Sequence, residues 1–100
     1  MLWAISRVAG PDFAALREKG LKAHLDYLQS RKDILVVSGA TLTDDGNEVT
    51  GSLLIVNANS RAEARAFVDA DPFQRAGMFT NVTIMRMRKG QWNPQAAEGA

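Results

Sequence analysis

Two runs of consecutive apolar residues constrain the fold of this 100-residue chain more than any other feature. Ile34–Val37 and Leu53–Val56 lack the alternation expected of strands with one face in water, and the segment between them contains the strong turn signal Asp44-Asp45-Gly46-Asn47. The pattern predicts a hairpin of two strands, over about 34–40 (with an extension to 43) and about 49–57. Neither face of this sheet is suited to water, so both faces should be covered.

The remaining elements follow from local signals of strand alternation, helix capping and proline. They predict a first strand over Leu2–Val8, a helix over Phe13–Arg31 capped by Asp12, a helix from the Ser60/Glu63 capping box to about Ala70, a short helix from Asp71-Pro72 to Gly77, and a last strand over Thr80–Arg88. The order β-α-β-β-α-(short α)-β is typical of an α+β, ferredoxin-like fold, with a four-stranded antiparallel sheet and helices on one face.

Two helices can cover only one face of such a sheet, so the other face would expose a large apolar patch. A second copy packed sheet against sheet with two-fold symmetry is the simplest cover, and we expect a homodimer. The chain length fits one domain over residues 1–100, with 90–100 as a tail that is ordered only if Trp92 finds a pocket.

Composition excludes several classes of function. The net charge of +1 is too balanced to indicate a nucleic-acid or anionic-membrane partner. The chain has no cysteine and a single histidine, so thiolate chemistry is excluded and a metal site is not expected. Dispersed glycines form no phosphate loop or dinucleotide fingerprint, so no cofactor is expected. Without a leader or an apolar run of membrane-spanning length, the default location is the cytoplasm.

His24 and Asp71 are the residues whose combination could move a proton near neutral pH. Helical periodicity places His24 on the apolar stripe of the first helix with Phe13, Leu16, Gly20, Tyr27 and Leu28, with Leu21 and Leu25 at its side. Asp71 before Pro72 is by itself best explained as a helix N-cap, and a lone histidine as a core residue. Both lie on segments that pack on the same face of a small sheet, which favours their contact. Gly20 in a helix interior indicates either close packing or an irregular turn.

Four further residues are candidates for substrate contact. Ser38 and Gly39 lie in a strand where glycine admits close approach, but no nucleophile elbow surrounds Ser38, so a polar pocket contact is favoured over a nucleophile. Arg7 could bind an anionic group, although an exposed strand end explains it equally well. Phe73 and Phe79 are expected chiefly to pack, with Phe73 also a candidate contact.

The chain resembles the YciI-like (YCII-related) family over roughly residues 1–89. The resemblance is carried by short motifs at Ala23-His24-Leu25, Ser38-Gly39-Ala40 and Gly51-Ser52, and above all by Asp69-Ala70-Asp71-Pro72-Phe73 with Ala76-Gly77. It implies a dimeric α/β barrel, and it implies that His24 and Asp71 form the family's catalytic dyad. Many relatives have Arg-Pro-x-His before the histidine and Gly-Pro after the second strand, whereas this chain has Lys22-Ala23-His24 and Gly39-Ala40, so substrate binding by an arginine at that position is in doubt.

Members of the family with an assigned reaction include a dehydrochlorinase-type lyase of aromatic catabolism, and related barrels include a muconolactone isomerase. The resemblance therefore implies a small cofactor-independent lyase or isomerase acting on a hydroxylated aromatic or its cyclic catabolite. The alternatives are a non-catalytic ligand-binding or accessory dimer, and, more weakly, a monooxygenase of the same barrel type.

Overall fold

The computed structural model describes residues 1–100 as one α+β unit. The elements in chain order are β1 (Leu2–Ala9), α1 (Phe13–Ser30), β2 (Leu35–Leu42), β3 (Val49–Asn57), α2 (Arg61–Ala70), α3 (Pro72–Arg75) and β4 (Phe79–Met87), followed by a 3₁₀ turn at Pro94–Ala97. The predicted order is confirmed, and β3 has the predicted bounds. No helix is both long and apolar enough to cross a membrane.

The four strands form one antiparallel sheet in the order β2-β3-β1-β4, which confirms the ferredoxin-like architecture. β1 is central, and its Ile5 lies between Leu54 of β3 and Ile84 of β4. Two positions further along, Arg7 lies between Ser52 and Val82. The register therefore puts Arg7 in the middle of the sheet, on the same face as Ile5.

The helices cover this face of the sheet and bury two groups of apolar side chains. The larger group lies under α2 and the C-terminal end of α1, and consists of Trp3, Ile5, Leu28, Leu54, Val56, Ala58, Ala64, Phe67 and Val68. The smaller group is Phe13, Phe73 and Met78. It packs α3 against the N-terminal half of α1 and places the Asp71–Phe73 segment beside His24.

The opposite face of the sheet has no covering element within the chain. Val8, Val37, Leu53 and Met85 on this face are each between 46% and 53% exposed. Their positions follow from strand register, since Ser6 pairs with Leu53 and Ala4 pairs with both Ile55 and Met85. The two-sided apolar strands of the sequence thus leave an open apolar face on the single chain.

Local signals fix most element boundaries. Gly46 adopts φ +76° in the β2–β3 turn, and Ser60 Oγ accepts a hydrogen bond from Glu63 N–H at 3.1 Å, which is the N-cap half of the predicted capping box. Asp12, however, does not cap α1 with its side chain, contrary to prediction. Its backbone (φ −99°, ψ 15°) is not extended, and the Phe13 N–H already bonds to the Gly10 carbonyl. Trp92 is 58% exposed, so its side chain is not buried in a pocket of the chain.

Gly51 in β3 leaves no room for a side chain, whereas Gly20 in α1 does. At Gly51 an added Cβ would overlap the Arg7 carbonyl oxygen, so only glycine allows β1 and β3 their close approach. At Gly20 an added Cβ would lie 3.5 Å from the Phe73 ring, an ordinary contact. The close packing that Gly20 suggested is therefore present and supplied by Phe73.

We expect Gly51→Ala to lower the free energy of unfolding by about 3 kcal/mol, because the backbone of β1 or β3 must shift to make room for the methyl group. Gly20→Ala should raise it by about 1 kcal/mol through helix propensity, since the methyl group fits. Urea denaturation followed by far-ultraviolet circular dichroism measures both. Equal effects of the two substitutions would contradict the difference in packing.

Candidate functional site

Asp71 lies at the junction where α2 ends and α3 begins. Its backbone is extended (φ −66°, ψ 126°), Pro72 occupies the first turn of α3, and Oδ1 accepts the Phe73 N–H at 3.0 Å. The side chain is therefore the predicted N-cap. Asp71 is only 1% exposed, which makes its charge costly unless other donors reach it.

His24 is one of those donors, and the contact that the two segments were expected to make is present in the structure. His24 Nδ1 lies 2.7 Å from Asp71 Oδ1. An ionised carboxylate only accepts hydrogen bonds, so Nδ1 carries the proton in this pair and the unprotonated nitrogen of the neutral ring is Nε2. Nε2 has no hydrogen-bond partner within the chain, and the His24 side chain is 12% exposed. This is the arrangement of a base oriented by a carboxylate.

Arg7 is the second side chain that reaches Asp71. Its Nη1 donates to Asp71 Oδ2 at 2.9 Å, and its Nε donates to Ser52 Oγ at 2.9 Å. The guanidinium carbon lies 4.1 Å from the centre of the Phe79 ring, a cation–π distance. Arg7 is 2% exposed, so the interpretation as an exposed strand end is wrong. Its Nη2 is buried without a partner.

The donors around Asp71 keep it ionised. Burial by itself would raise the pKa of the Asp71 carboxyl, but the hydrogen bond and charge of His24, the Phe73 N–H and the charge of Arg7 together lower that pKa below its ordinary value. Burial lowers the pKa of Arg7, with partial compensation from Asp71, yet a guanidinium remains protonated near neutral pH. The buried pair is thus a carboxylate and a guanidinium.

Phe73 fixes the plane of the imidazole. Its ring stacks on His24 with centroids 3.8 Å apart and planes 3° apart. Phe73 also forms an edge-to-face pair with Phe13 at 6.4 Å, and its ring faces α1 at Gly20, where an added Cβ would lie 3.5 Å from it. Packing therefore covers one face of the His24 ring, and the ring orientation is held by both Asp71 and Phe73.

A cavity of about 240 Å³ lies between α1 and the sheet, in front of this group. It is lined by the side of α1 from Phe13 to Leu28, by residues 38–40 of β2, by Val49, Gly51, Ser52 and Leu54 of β3, and by Arg7, Phe73 and Phe79. The candidates His24, Ser38, Gly39, Phe73 and Arg7 all line this one cavity, while Asp71 lies behind its wall.

Gly39 and Leu25 do not have the surroundings that the sequence predicted for them. Gly39 lies opposite Leu53 in the strand register, and an added Cβ there would meet nothing within 4 Å, so the chain does not require a glycine at this position. Leu25 lines the cavity but is 54% exposed, so the buried stripe of α1 is narrower than predicted. Ser38 lies opposite Leu54 on the helix-covered face.

Arg17 and Ser52 belong to the site but were not among the predicted site residues. Arg17 is four residues after Phe13 and seven before His24, so helical spacing alone could have placed it on the cavity side of α1. Ser52 contacts Arg7 because of strand register, a signal that no local pattern contains. No three histidine or acidic side chains lie close enough together to hold a metal ion.

Comparison with known proteins places the chain in a family. The family model for the YCII-related domain matches residues 1–88. The chain belongs to the YCII-related family. Residues 89–100 of this YCII-related protein lie outside the match.

A solved structure is also similar to this YCII-related protein. It is 5-chloro-2-hydroxyhydroquinone dehydrochlorinase from Burkholderia phenoliruptrix AC1100, in complex with 2,5-dihydroxybenzoquinone. The sequences are 37% identical, the TM-score is 0.80, and the match covers 90% of this chain and 96% of the other. A search of curated proteins found no significant match.

We expect Asp71→Asn to lower the free energy of unfolding at pH 7 by about 3–5 kcal/mol, because it leaves the Arg7 charge buried without its counter-charge. The folded pKa of Asp71 is lowered, so the unfolded chain takes up its proton first as the pH falls. The contribution of the Asp71 charge is therefore present above about pH 4 and is lost below it, as the pH falls through the folded pKa.

The difference between wild type and Asp71→Asn should accordingly shrink in urea titrations as the pH falls from about 5 through the lowered folded pKa of Asp71. Asp69→Asn is the matched control, because Asp69 is 54% exposed and forms only a surface ion pair with Arg65. Its effect at pH 7 should stay below about 1 kcal/mol. A wild-type advantage over Asp71→Asn that is constant with pH would contradict a stabilising Asp71 charge.

Proposed function

We propose that this protein is a cofactor-independent lyase that eliminates a leaving group from a hydroxylated aromatic ring, with dehydrochlorination as its most concrete form. One observation supports the proposal above all: the imidazole of His24 lines a small cavity, and its Nδ1 is bound to a buried carboxylate, which leaves Nε2 without a partner in the chain. The similarity to a dehydrochlorinase, at 37% identity over 90% of the chain, favours this reaction among those a base could catalyse.

The proposed chemistry uses His24 twice as a base and once as an acid. Nε2 takes a hydroxyl proton, the oxygen lone pair forms a C=O bond, and the proton returns to the ring carbon that bears chlorine. Loss of a second hydroxyl proton to Nε2 then forms a second C=O bond while the C–Cl bond breaks and chloride leaves with the bonding electrons. The net change is the loss of HCl, and it balances without an external oxidant or reductant.

Asp71 is proposed to orient the imidazole and to stabilise its protonated form. A carboxylate 2.7 Å from Nδ1 compensates the charge that appears on the ring when Nε2 takes a proton. Arg7 holds the second carboxylate oxygen, and its charge adds to the hydrogen bonds from His24 and the Phe73 N–H that lower the pKa of Asp71 and keep it ionised. In this proposal Asp71 and Arg7 are positioning residues, and His24 is the catalytic residue.

The size and walls of the cavity favour a single-ring substrate. Pockets for drug-sized ligands usually measure about 300–1,000 Å³, and this one measures about 240 Å³. The aromatic side chains Phe13, Phe73 and Phe79 offer apolar contact, and Ser38 offers a hydroxyl that could bond to a ring substituent. The proposed substrate is therefore a small polar aromatic compound and not an extended or polymeric one.

We expect His24→Ala to reduce kcat on 5-chloro-2-hydroxyhydroquinone by about 10²–10⁴-fold, the usual contribution of a general acid–base group. Chloride release, measured with an ion-selective electrode, follows the reaction. Lys22→Ala is the matched control, because Lys22 lies on the exposed side of the same helix and pairs only with Asp26. It should leave kcat within about twofold of wild type.

Retention of more than about a tenth of wild-type kcat by His24→Ala would contradict a base role for His24. Thermal unfolding of the same variants tests the alternative of a binding module. That alternative predicts a loss of stability in His24→Ala and no chloride release from wild type with any chlorinated hydroquinone.

We also propose that a second copy of the chain covers the open face of the sheet. The support is the group of large apolar side chains on this face, Val8, Val37, Leu53 and Met85, which a monomer would leave about half exposed to water. Packing of two identical faces about a two-fold axis would bury this surface and close the dimeric barrel.

Leu53→Lys should convert the dimer into a monomer, because the two-fold axis would bring two buried ammonium groups into one interface. Light scattering coupled to gel filtration should give twice the 10.9 kDa chain mass for wild type and the single chain mass for the variant. Leu25→Lys is the matched control, since Leu25 is 54% exposed against 46% for Leu53 but lies on the helix side. A dimer that persists in Leu53→Lys would exclude this interface.

A further inference from the structure

The cavity in front of His24 is open where α1 faces the edge strand β2. β2 has no neighbour beyond it in the sheet, and residues 38–40 of β2, which line the cavity, are all exposed. Leu25 lines the cavity from α1 and is 54% exposed, and Val36 of β2 is 40% exposed. A ring bound in the cavity of a single chain would therefore have one side in water, next to exposed apolar side chains.

Trp92 is the one exposed aromatic side chain of the protein, at 58%. It lies five residues after Met87, the end of β4, in a segment without helix or strand, and residues 89–100 lie outside the family match. Five residues of extended chain span at most about 17 Å. Trp92 does not line the cavity of its own chain, and β4 and β2 form opposite edges of the sheet, about 14 Å apart. Its own chain thus leaves this ring mostly in water.

The open face of the sheet is apolar at one end and more polar at the other. Strand register aligns residues of the four strands in rows across this face. The row near the end of β4 is entirely apolar and consists of Val37, Ile55, Ala4 and Met85. A row at the opposite end has a single large apolar side chain and consists of Thr41, Gly51, Val8 and Asn81. The two ends therefore offer different surfaces to a second copy.

This difference selects between the two ways in which two-fold symmetry can stack the sheets. With the axis across the strands, the apolar row of each copy would face the polar row of its partner. With the axis along the strands, each row faces its own counterpart, so apolar side chains pack on apolar ones. This second arrangement keeps strand direction and reverses strand order, so β4 of one copy lies over β2 of the other, about 10 Å away.

The same arrangement brings the end of one chain to the open side of the other cavity. β4 ends and β2 begins at the apolar end of the face, since Met85 and Val37 belong to one row. The partner's Met87 therefore lies near Val36, at the start of β2. From there, the five residues that lead to the partner's Trp92 can pass around the β2 edge.

We propose that Trp92 of each copy closes the open side of its partner's cavity by packing against Leu25 and Val36, so that each site is built from two chains. A planar apolar ring fits this place because the side chains around it are apolar and a bound aromatic ligand offers an edge or face for contact. Exclusion of water from the open side would also strengthen the electrostatic interactions around His24. This role rests on the proposed dimer and not on the proposed reaction.

The protein has no cysteine, so introduced cysteines measure the contact directly. Gln29→Cys places a thiol at an exposed position one helical turn after Leu25, and Gln91→Cys places one beside Trp92, while Leu25 and Trp92 themselves are kept. When the two single variants are mixed and oxidised, a disulfide-linked species of twice the 10.9 kDa chain mass should appear on non-reducing gels. A bond formed in this mixture joins two chains by necessity, and each variant alone should stay largely unlinked.

Lys19→Cys is the matched control for Gln29→Cys. Lys19 is exposed on the same helix, but it points about 120° away from the direction of Leu25. Mixed with Gln91→Cys, it should give little linked dimer. Addition of Trp92→Ala to Gln91→Cys should abolish linking to Gln29→Cys, because the tail loses its anchor. Equal linking at both helix positions, or linking that Trp92→Ala leaves unchanged, would overturn the proposal.

Ligand binding tests whether the contact closes the cavity. Trp92→Ala should remain a dimer by light scattering and should bind 2,5-dihydroxybenzoquinone about fivefold more weakly than wild type in isothermal titration calorimetry, as expected for the loss of one aromatic contact. Trp92→Phe should restore most of the affinity. Wild-type affinity in a dimeric Trp92→Ala, or no quinone binding to either protein, would overturn the closing role.

These measurements separate failure of the contact from failure of the earlier proposals. A monomeric wild type would overturn the dimer and the contact together. A dimeric wild type without linking between Gln29→Cys and Gln91→Cys would reject the contact alone. Linking without chloride release from any chlorinated hydroquinone would reject the proposed reaction and leave the two-chain site in place.

Discussion

The buried carboxylate of Asp71 is the interaction on which the rest of the site depends. It receives donors from three separate elements: Arg7 on β1, His24 on α1 and the Phe73 N–H at the start of α3. A carboxylate with 1% exposure would be strongly destabilising without such partners. Its pairing therefore ties the sheet, the long helix and the α2–α3 junction together at one point, and the cavity forms beside that point.

The structural role of Asp71 and its proposed role in orienting His24 do not compete for the carboxylate atoms. Oδ1 accepts both the helix N–H and the imidazole N–H, while Oδ2 accepts from Arg7. Each partner also has a second constraint, since Phe73 stacks on His24 and Phe79 lies against Arg7. The imidazole is consequently held in one orientation before any ligand enters, which is the condition for efficient proton transfer.

Local patterns predicted most of the fold because they act over a few residues. The strand over 49–57, the Ser60 cap and the Asp71 cap all depend on neighbours within four positions, and the structure has them. Asp12 is the exception, since the turn at Gly10 already satisfies the first helical N–H and sets a backbone that keeps the side chain from capping. Helical spacing placed His24 correctly, but the same spacing overestimated the burial of Leu25.

The sequence by itself determined the order of elements, the two-sided apolar strands and the presence of a histidine and a capping aspartate on the same face of the sheet. Only the tertiary structure decided that Arg7 and Asp71, 64 residues apart, form a buried ion pair, and that Ser52 and Phe79 complete it. Pairings of this kind depend on strand register and on which charges are buried together, and neither is a property of neighbouring residues. The open apolar face was foreseeable because consecutive apolar residues in a strand show it directly, whereas the burial of Arg7 beside the cavity was not.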